Sequence, residues 1–219
     1  SVQGLTVGRG SGAVATNTAV GASALAANTS GANSVAIGLS ALTGQTTGGF
    51  NTAVGQNSMS AAVTGTSNTA VGVNSMAGNT SGANNAALGG AALFSNSSGA
   101  SNTGVGAGAL QNNTTASSNT AVGYQAGYSN TTGNSNTHIG RFAGYTNSVS
   151  GNNLYVGDYA GYFSTGADNT FVGARAGSAN GEGAGYQMTT GSKNTIIGKF
   201  GGNQGGLDIR TASNYIVLS

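Results

Sequence analysis

The sequence predicts an all-β protein: a β-solenoid or β-roll of about eleven coils of 17 residues, packed or intertwined as a homotrimer. Three observations carry this. The pentapeptide Asn-Thr-Ala-Val-Gly occurs unchanged at 17–21, 51–55, 68–72 and 119–123. The glycines that close this element and its variants are Gly21, Gly38, Gly55, Gly72, Gly89, Gly106, Gly123, Gly140, Gly157, Gly173 and Gly198, and their first eight spacings are all 17. Finally, 41 of the 219 residues are glycine and none is proline. A helical reading would lose about 1 kcal/mol at each interior glycine.

Each element of the coil follows from its column. The residue before the anchor glycine is aliphatic in every coil, from Val20 and Ile37 to Val172 and Ile197. The residue four before it is Asn in ten of eleven coils, with Ser34 the exception. This β-branched, alternating stretch predicts a short strand. The anchor glycine predicts a corner. A second short strand is expected after it, for example at 22–25 or 56–59, followed by a polar turn that carries Gly31, Gly48, Gly65, Gly82, Gly99 and Gly133. Stacking then places like residues over like, so the Asn column is expected to bond along the rod.

The aliphatic column is expected to form the core spine. Alternation places the column Ala19, Ala36, Ala53, Ala70, Ala87, Gly104 and Ala121 on the opposite face. Two large apolar side chains per coil return only about 3–6 kcal/mol, against roughly 1–2 kcal/mol of backbone entropy per ordered residue. A second chain against the Ala stripe would supply the deficit, which is the case for a homotrimer; a monomeric solenoid is the alternative.

The chain divides at the seventh coil, whose anchor is Gly123. Residues 1–118 are coils of Ala/Leu type, with Leu25, Leu42, Met59, Met76, Leu93 and Leu110 four after the anchor. Residues 119–219 are of Gly/Tyr type, with Gly127, Gly144 and Gly161 in that column and Tyr128, Tyr145 and Tyr162 after it. Twelve of the fourteen aromatic residues lie at or beyond Tyr124. The second half also holds an insertion within 174–193, read as a surface loop, and the terminal stretch 213–219, read as a strand.

Several functions are disfavoured. A net charge of +2 is too small for nucleic-acid binding. No apolar run reaches the length of a membrane span, so membrane insertion is not expected. With no cysteine there is neither a disulfide nor a thiolate metal site. His138 stands at a repeat position and is read as a packing residue, and Asp158, Asp168, Glu182 and Asp208 are scattered over several coils. The glycine run at 104–108 mimics a phosphate loop but lacks the Lys-Ser/Thr ending. No cofactor and no enzymatic activity are therefore expected. Aromatic faces and Arg forks suit sugars, which makes Tyr124, Tyr128, Arg141, Tyr145 and Arg175 the expected receptor or glycan contacts; the bland reading has them widen the core.

The stretches NTAVGASAL at 17–25, NTAVGYQAGY at 119–128 and NSVAIG at 33–38 resemble the repeats of bacteriophage tail fibre proteins. NSVAIG is also similar to the head repeats of trimeric autotransporter adhesins, which form trimeric β-rolls from a shorter repeat. SNYIVLS at 213–219 resembles the junction before a trimerising autochaperone domain. The resemblance spans nearly the whole chain and transfers no individual site residue. It implies a homotrimeric fibre segment of a virion appendage that contributes to attachment to a host-surface glycan or protein. A bacterial extracellular adhesin, or a self-assembling surface filament subunit, is the alternative. An ice-binding solenoid is a further one, because the residue three before the anchor is Thr in eight of eleven coils. Alternation sets that Thr on the side of the aliphatic column, so a flat exposed Thr face is not expected.

Overall fold

The structure is a computed structural model that describes residues 7–174 and 183–219. Arg175 and Glu182 lie outside the described residues, as does much of the expected insertion. The strands in chain order are β1 (Val7–Gly8), β2 (Thr18–Val20), β3 (Val35–Ile37), β4 (Thr52–Val54) and β5 (Thr69–Val71). They continue with β6 (Ala86–Leu88), β7 (Thr103–Val105), β8 (Thr120–Val122), β9 (Thr137–Ile139) and β10 (Leu154–Val156). The last are β11 (Thr170–Val172), β12 (Thr195–Ile197), β13 (Asn203–Gln204), β14 (Leu207–Asp208) and β15 (Ile216–Leu218). Strands β2–β12 and β15 form one parallel sheet in sequence order, and β1 closes its first edge antiparallel to β2. β13 and β14 form a separate hairpin. The fold is a β-solenoid, and at about 4.8 Å per step its stack of parallel strands is roughly 50 Å long.

Register is constant: Thr52 pairs with Thr69, Ala53 with Ala70 and Val54 with Val71, and the same triplets align at every step. The anchor glycine makes this close stacking possible. Gly55 has φ +130, and a Cβ there would lie 2.5 Å from the carbonyl oxygen of Gly72 one coil on. No side chain fits between the corners.

Two expectations are corrected. The limb after the anchor is not a second strand but a run of turns, with left-handed backbone at Asn57 (φ 54) and Met59 (φ 51). The facing of the strand is also the reverse of the one expected. The Ala column points into the coil: Ala36, Ala53, Ala70 and Ala121 are fully buried. The aliphatic column points out, with Ile37 at 40%, Leu88 at 53% and Ile197 at 47% exposure. The reason is the opposite limb. Leu25, Leu42, Met59, Met76, Leu93 and Leu110 are all completely buried. Their bulk fills the narrow interior and leaves room only for a methyl group across from it. The Ala stripe is therefore unavailable to a second chain.

The Asn column bonds along the rod as expected. Each Asn Oδ1 accepts the backbone N–H of its successor one coil on, as in Asn68 to Asn51 (3.0 Å), Asn102 to Asn85 (2.9 Å) and Asn169 to Asn153 (2.9 Å). In many coils its Nδ2 donates to the carbonyl of the coil's own polar turn, as Asn68 does to Gly82 (2.8 Å). A second buried Asn column, seven after the anchor, forms an amide ladder that periodicity alone did not flag. Asn96 donates to Asn79 (3.0 Å), Asn113 to Asn96 (2.8 Å) and Asn130 to Asn113 (2.8 Å).

Candidate functional site: an aromatic edge on the second half

In-register stacking turns any residue repeated in one column into a ladder. The column five after the anchor is Ala26, Thr43, Ser60, Ala77, Phe94 and Gln111 in early coils but Tyr128, Tyr145 and Tyr162 in late ones. Tyr186 continues it, because the surplus length before β12 falls ahead of Ala184: the Ala184 N–H bonds the anchor carbonyl of Gly173 (3.0 Å), as Ala24 bonds Gly21. The coil rise brings these rings to stacking distance. Tyr128 and Tyr145 have centroids 5.1 Å apart at 8°, Tyr145 and Tyr162 5.0 Å at 3°, and Tyr162 and Tyr186 5.5 Å at 28°. These separations lie in the favourable range for aromatic pairs.

A second aromatic file runs beside the first. Phe142 meets Tyr124 edge-on at 5.3 Å and contacts Tyr159 at 5.0 Å. It also touches Tyr145 at 5.6 Å and Tyr162 at 6.1 Å, so the two files form one surface. Arg141 and Asp158 occupy the column just after the anchor in adjacent coils and form a bidentate pair, Nε to Oδ1 2.9 Å and Nη2 to Oδ2 3.0 Å. The guanidinium lies 5.0 Å from the Tyr159 ring centroid and 5.6 Å from that of Phe142. The carboxylate holds the guanidinium over the rings.

Four of the five expected contact residues, Tyr124, Tyr128, Arg141 and Tyr145, therefore share one edge of the rod. The fifth, Arg175, lies outside the described residues. Phe142, Tyr159, Tyr162 and Tyr186 belong to the same edge and were not singled out from sequence, although the column spacing from Tyr128 reaches Tyr162 directly. Tyr124 is half exposed and the stacked rings are partly buried by one another. Burial, followed by its neighbours Tyr145, Tyr186 and Tyr159, raises the pKa of the Tyr162 phenol.

No family model, curated protein or solved structure matches this chain. The edge must be read from its own chemistry. The stacked faces cover one another, so it offers a file of ring edges with one ion-paired guanidinium. Among the described residues no group of three His, Cys, Asp or Glu side chains could hold a metal ion. The carboxylate of Asp158 is held by Arg141, and that of Asp208 by Arg210 (2.7 Å) on the hairpin. Such a surface suits contact with carbohydrate, through apolar ring edges and hydroxyl and guanidinium donors.

Proposed function

We propose that the chain is a non-enzymatic rod segment of an extracellular fibre, with a virion tail fibre as the leading setting, whose aromatic edge contacts carbohydrate on a host surface. The observation that carries this reading is the stacked ladder Tyr128–Tyr145–Tyr162–Tyr186. The solenoid does not require it, since five of the six coils of the first half keep the same register without a ring in that column, Phe94 being the exception. Rings that the fold does not need, placed where solvent reaches them, support binding. A bacterial surface adhesin or filament would use the edge in the same way. The test compares the whole chain with a Tyr145→Ala/Tyr162→Ala variant on a glycan array and on cells. Binding by the parent and its loss in a folded variant are expected. Equal binding by both removes the edge from the function.

Self-association is part of the proposal, through a different face from the one the sequence indicated. The Thr and aliphatic columns both point outward along the strands, so the free apolar surface is the strand face. A second copy has the same rise per coil and matches it over the full length. A second reading concerns this face alone: outward Thr beside outward Val, repeated in register, also supports ordering of water and binding to ice. Multi-angle light scattering and a thermal-hysteresis assay separate the two. A trimeric mass supports packing of copies, whereas a single-chain mass with hysteresis supports ice.

A further inference from the structure

The rod is interrupted inside at one level. Its apolar core is in two clusters, one running from Ala19 to Ala126 and the other from Ala143 to Ile209. Between them stands His138, fully buried in the inward column that holds Ala121 one coil before and Tyr155 one coil after. Both of its ring nitrogens are without a hydrogen-bond partner. Among the described residues, the other buried side-chain polar atoms in this state are Asn130 Oδ1 and Asn147 Oδ1. All four atoms therefore fall on two consecutive coils. The amide ladder stops here too. Asn130 is its last regular rung, and Asn147 turns its Nδ2 away to Asn136 Oδ1 at 3.5 Å.

The neighbouring coil shows how the same space is filled elsewhere. There the inward residue is Tyr155, whose Oη bonds Ser164 Oγ at 2.9 Å. Ser164 occupies the column position that Asn147 holds in the His138 coil. The anchoring of the two rings is alike. A Cβ on Gly161 would lie 2.7 Å from the Tyr155 ring, and one on Gly144 would lie 2.2 Å from His138 Nδ1. An imidazole rooted in the same place is shorter than a phenol by about the depth of its hydroxyl group and a ring atom. It stops short of the column that Tyr155 reaches.

We propose that His138, Asn147 and Asn130 enclose an internal water-binding site, with solvent oxygen standing where the Tyr155 hydroxyl stands one coil on. Four unpartnered polar atoms from three side chains meet the requirement of two to four partners for a buried water. Unpaired burial of such groups is a penalty that the bridge removes. Neutral imidazole offers one N–H and one lone pair, so water donates to an amide oxygen and closes on the ring with its remaining capacity. Burial holds His138 in that neutral form. The residues against the ring are Ala121, Gly127, Gly144 and Tyr155. Tyr155 alone of these titrates, and burial pushes its phenol up, away from ionisation.

The test is a side-chain-resolution density map of the whole wild-type chain, paired with a His138→Tyr variant. An ordered solvent peak within about 3.2 Å of His138 and of Asn147 is expected. A direct His138–Asn147 hydrogen bond, or a level closed without solvent, overturns the proposal. In His138→Tyr the phenol should take the solvent position, the peak should vanish and the melting temperature should rise by about 2–4 °C. A phenol turned elsewhere, or a lower melting temperature with the peak retained, also overturns it. If the variant does not fold, the wild-type map decides alone.

Discussion

The two halves of the rod fill the same interior from opposite sides. In the first, the turn limb supplies the bulk, as Leu93 or Met76, and the strand supplies a methyl group, as Ala87 or Ala70. In the second, the strand supplies the bulk, as Tyr155 or Phe171, and the turn limb retreats to glycine. The exchange is sterically strict: a Cβ on Gly185 would lie 2.3 Å from the Phe171 ring. The coil backbone and its register do not change across the exchange. Bulk on one limb is matched by a small residue on the other, as expected of an interior packed at crystal-like density; the layer of Ala121 and Gly127 at the switch is small on both limbs, and Leu110 and His138 of the adjacent coils lean into it. His138 is the first inward ring of the second scheme, opposite Gly144, and its two ring nitrogens find no partner there.

The largest predicted effect comes from breaking that complementarity. Leu93→Gly should leave a cavity and cost about 3–5 kcal/mol, near or beyond the upper end of Leu-to-Ala losses. Ala87→Phe in the same coil should overpack and cost about 1–3 kcal/mol or more. The double variant rebuilds the arrangement of Phe171 with Gly185, so it should recover about 2–3 kcal/mol relative to the sum of the singles. Denaturant unfolding of the four proteins measures the coupling. Additive costs would mean that the two schemes are not interchangeable fillings of one layer.

A smaller effect separates the halves by pH. Burial lowers the pKa of His138 from 6.5 to about 3. The folded state therefore disfavours the imidazolium, and the stability that rests on the neutral ring is complete above pH 6.5. It is lost as pH falls from there toward 3. At pH 4.5 the loss is roughly 3 kcal/mol. Wild type should lose stability between pH 6.5 and 4.5, while His138→Phe should stay flatter over that range. Hydrogen exchange should show the opening beginning at 127–147 and not in the coils before Leu93. Parallel titrations of the two proteins would remove His138 as the acid-sensitive point.

Much of the fold was legible because the period is strict. Once the anchor glycines recur at 17, strand position, register and the ladder of Asn68, Asn85 and Asn102 follow from stacking alone. Facing was not legible, and the error is instructive. Alternation states that Thr69 and Val71 share a side and Ala70 takes the other, but it does not state which side is inside. That is decided by the opposite limb, through Met59 and Met76, whose left-handed backbone turns them inward. A scale of hydrophobicity ranks Val above Ala and so chooses the wrong side. The aromatic edge was partly visible because Tyr128 and Tyr145 repeat at the coil spacing. The ring of Tyr186 was displaced from that spacing by the surplus residues before Ala184.

The smallest effect tests what the two halves share. The Thr and aliphatic columns continue through both: Thr69 and Val71 in the first, Thr137 and Ile139 in the second. If this face is outward in both, a charge placed on it meets water. Val71→Asp and Ile139→Asp should each cost a single chain no more than about 1 kcal/mol, as surface substitutions do. Ala70→Asp, one residue away, buries an uncompensated carboxylate and should prevent folding of its coil. The contrast between positions 70 and 71 is a direct reading of strand facing. Equal damage at both would mean that the aliphatic column is covered within the chain. The same two outward variants also report on association. If copies pack through this face, Val71→Asp and Ile139→Asp should lower the mass seen by light scattering while leaving the circular dichroism of each chain unchanged. The effect should be alike in both halves, because the face, unlike the interior and the aromatic edge, does not change at the seventh coil. Dissociation by Ile139→Asp alone would confine the contact between copies to the second half, and the shared face would then be a property of the solenoid and not of its assembly.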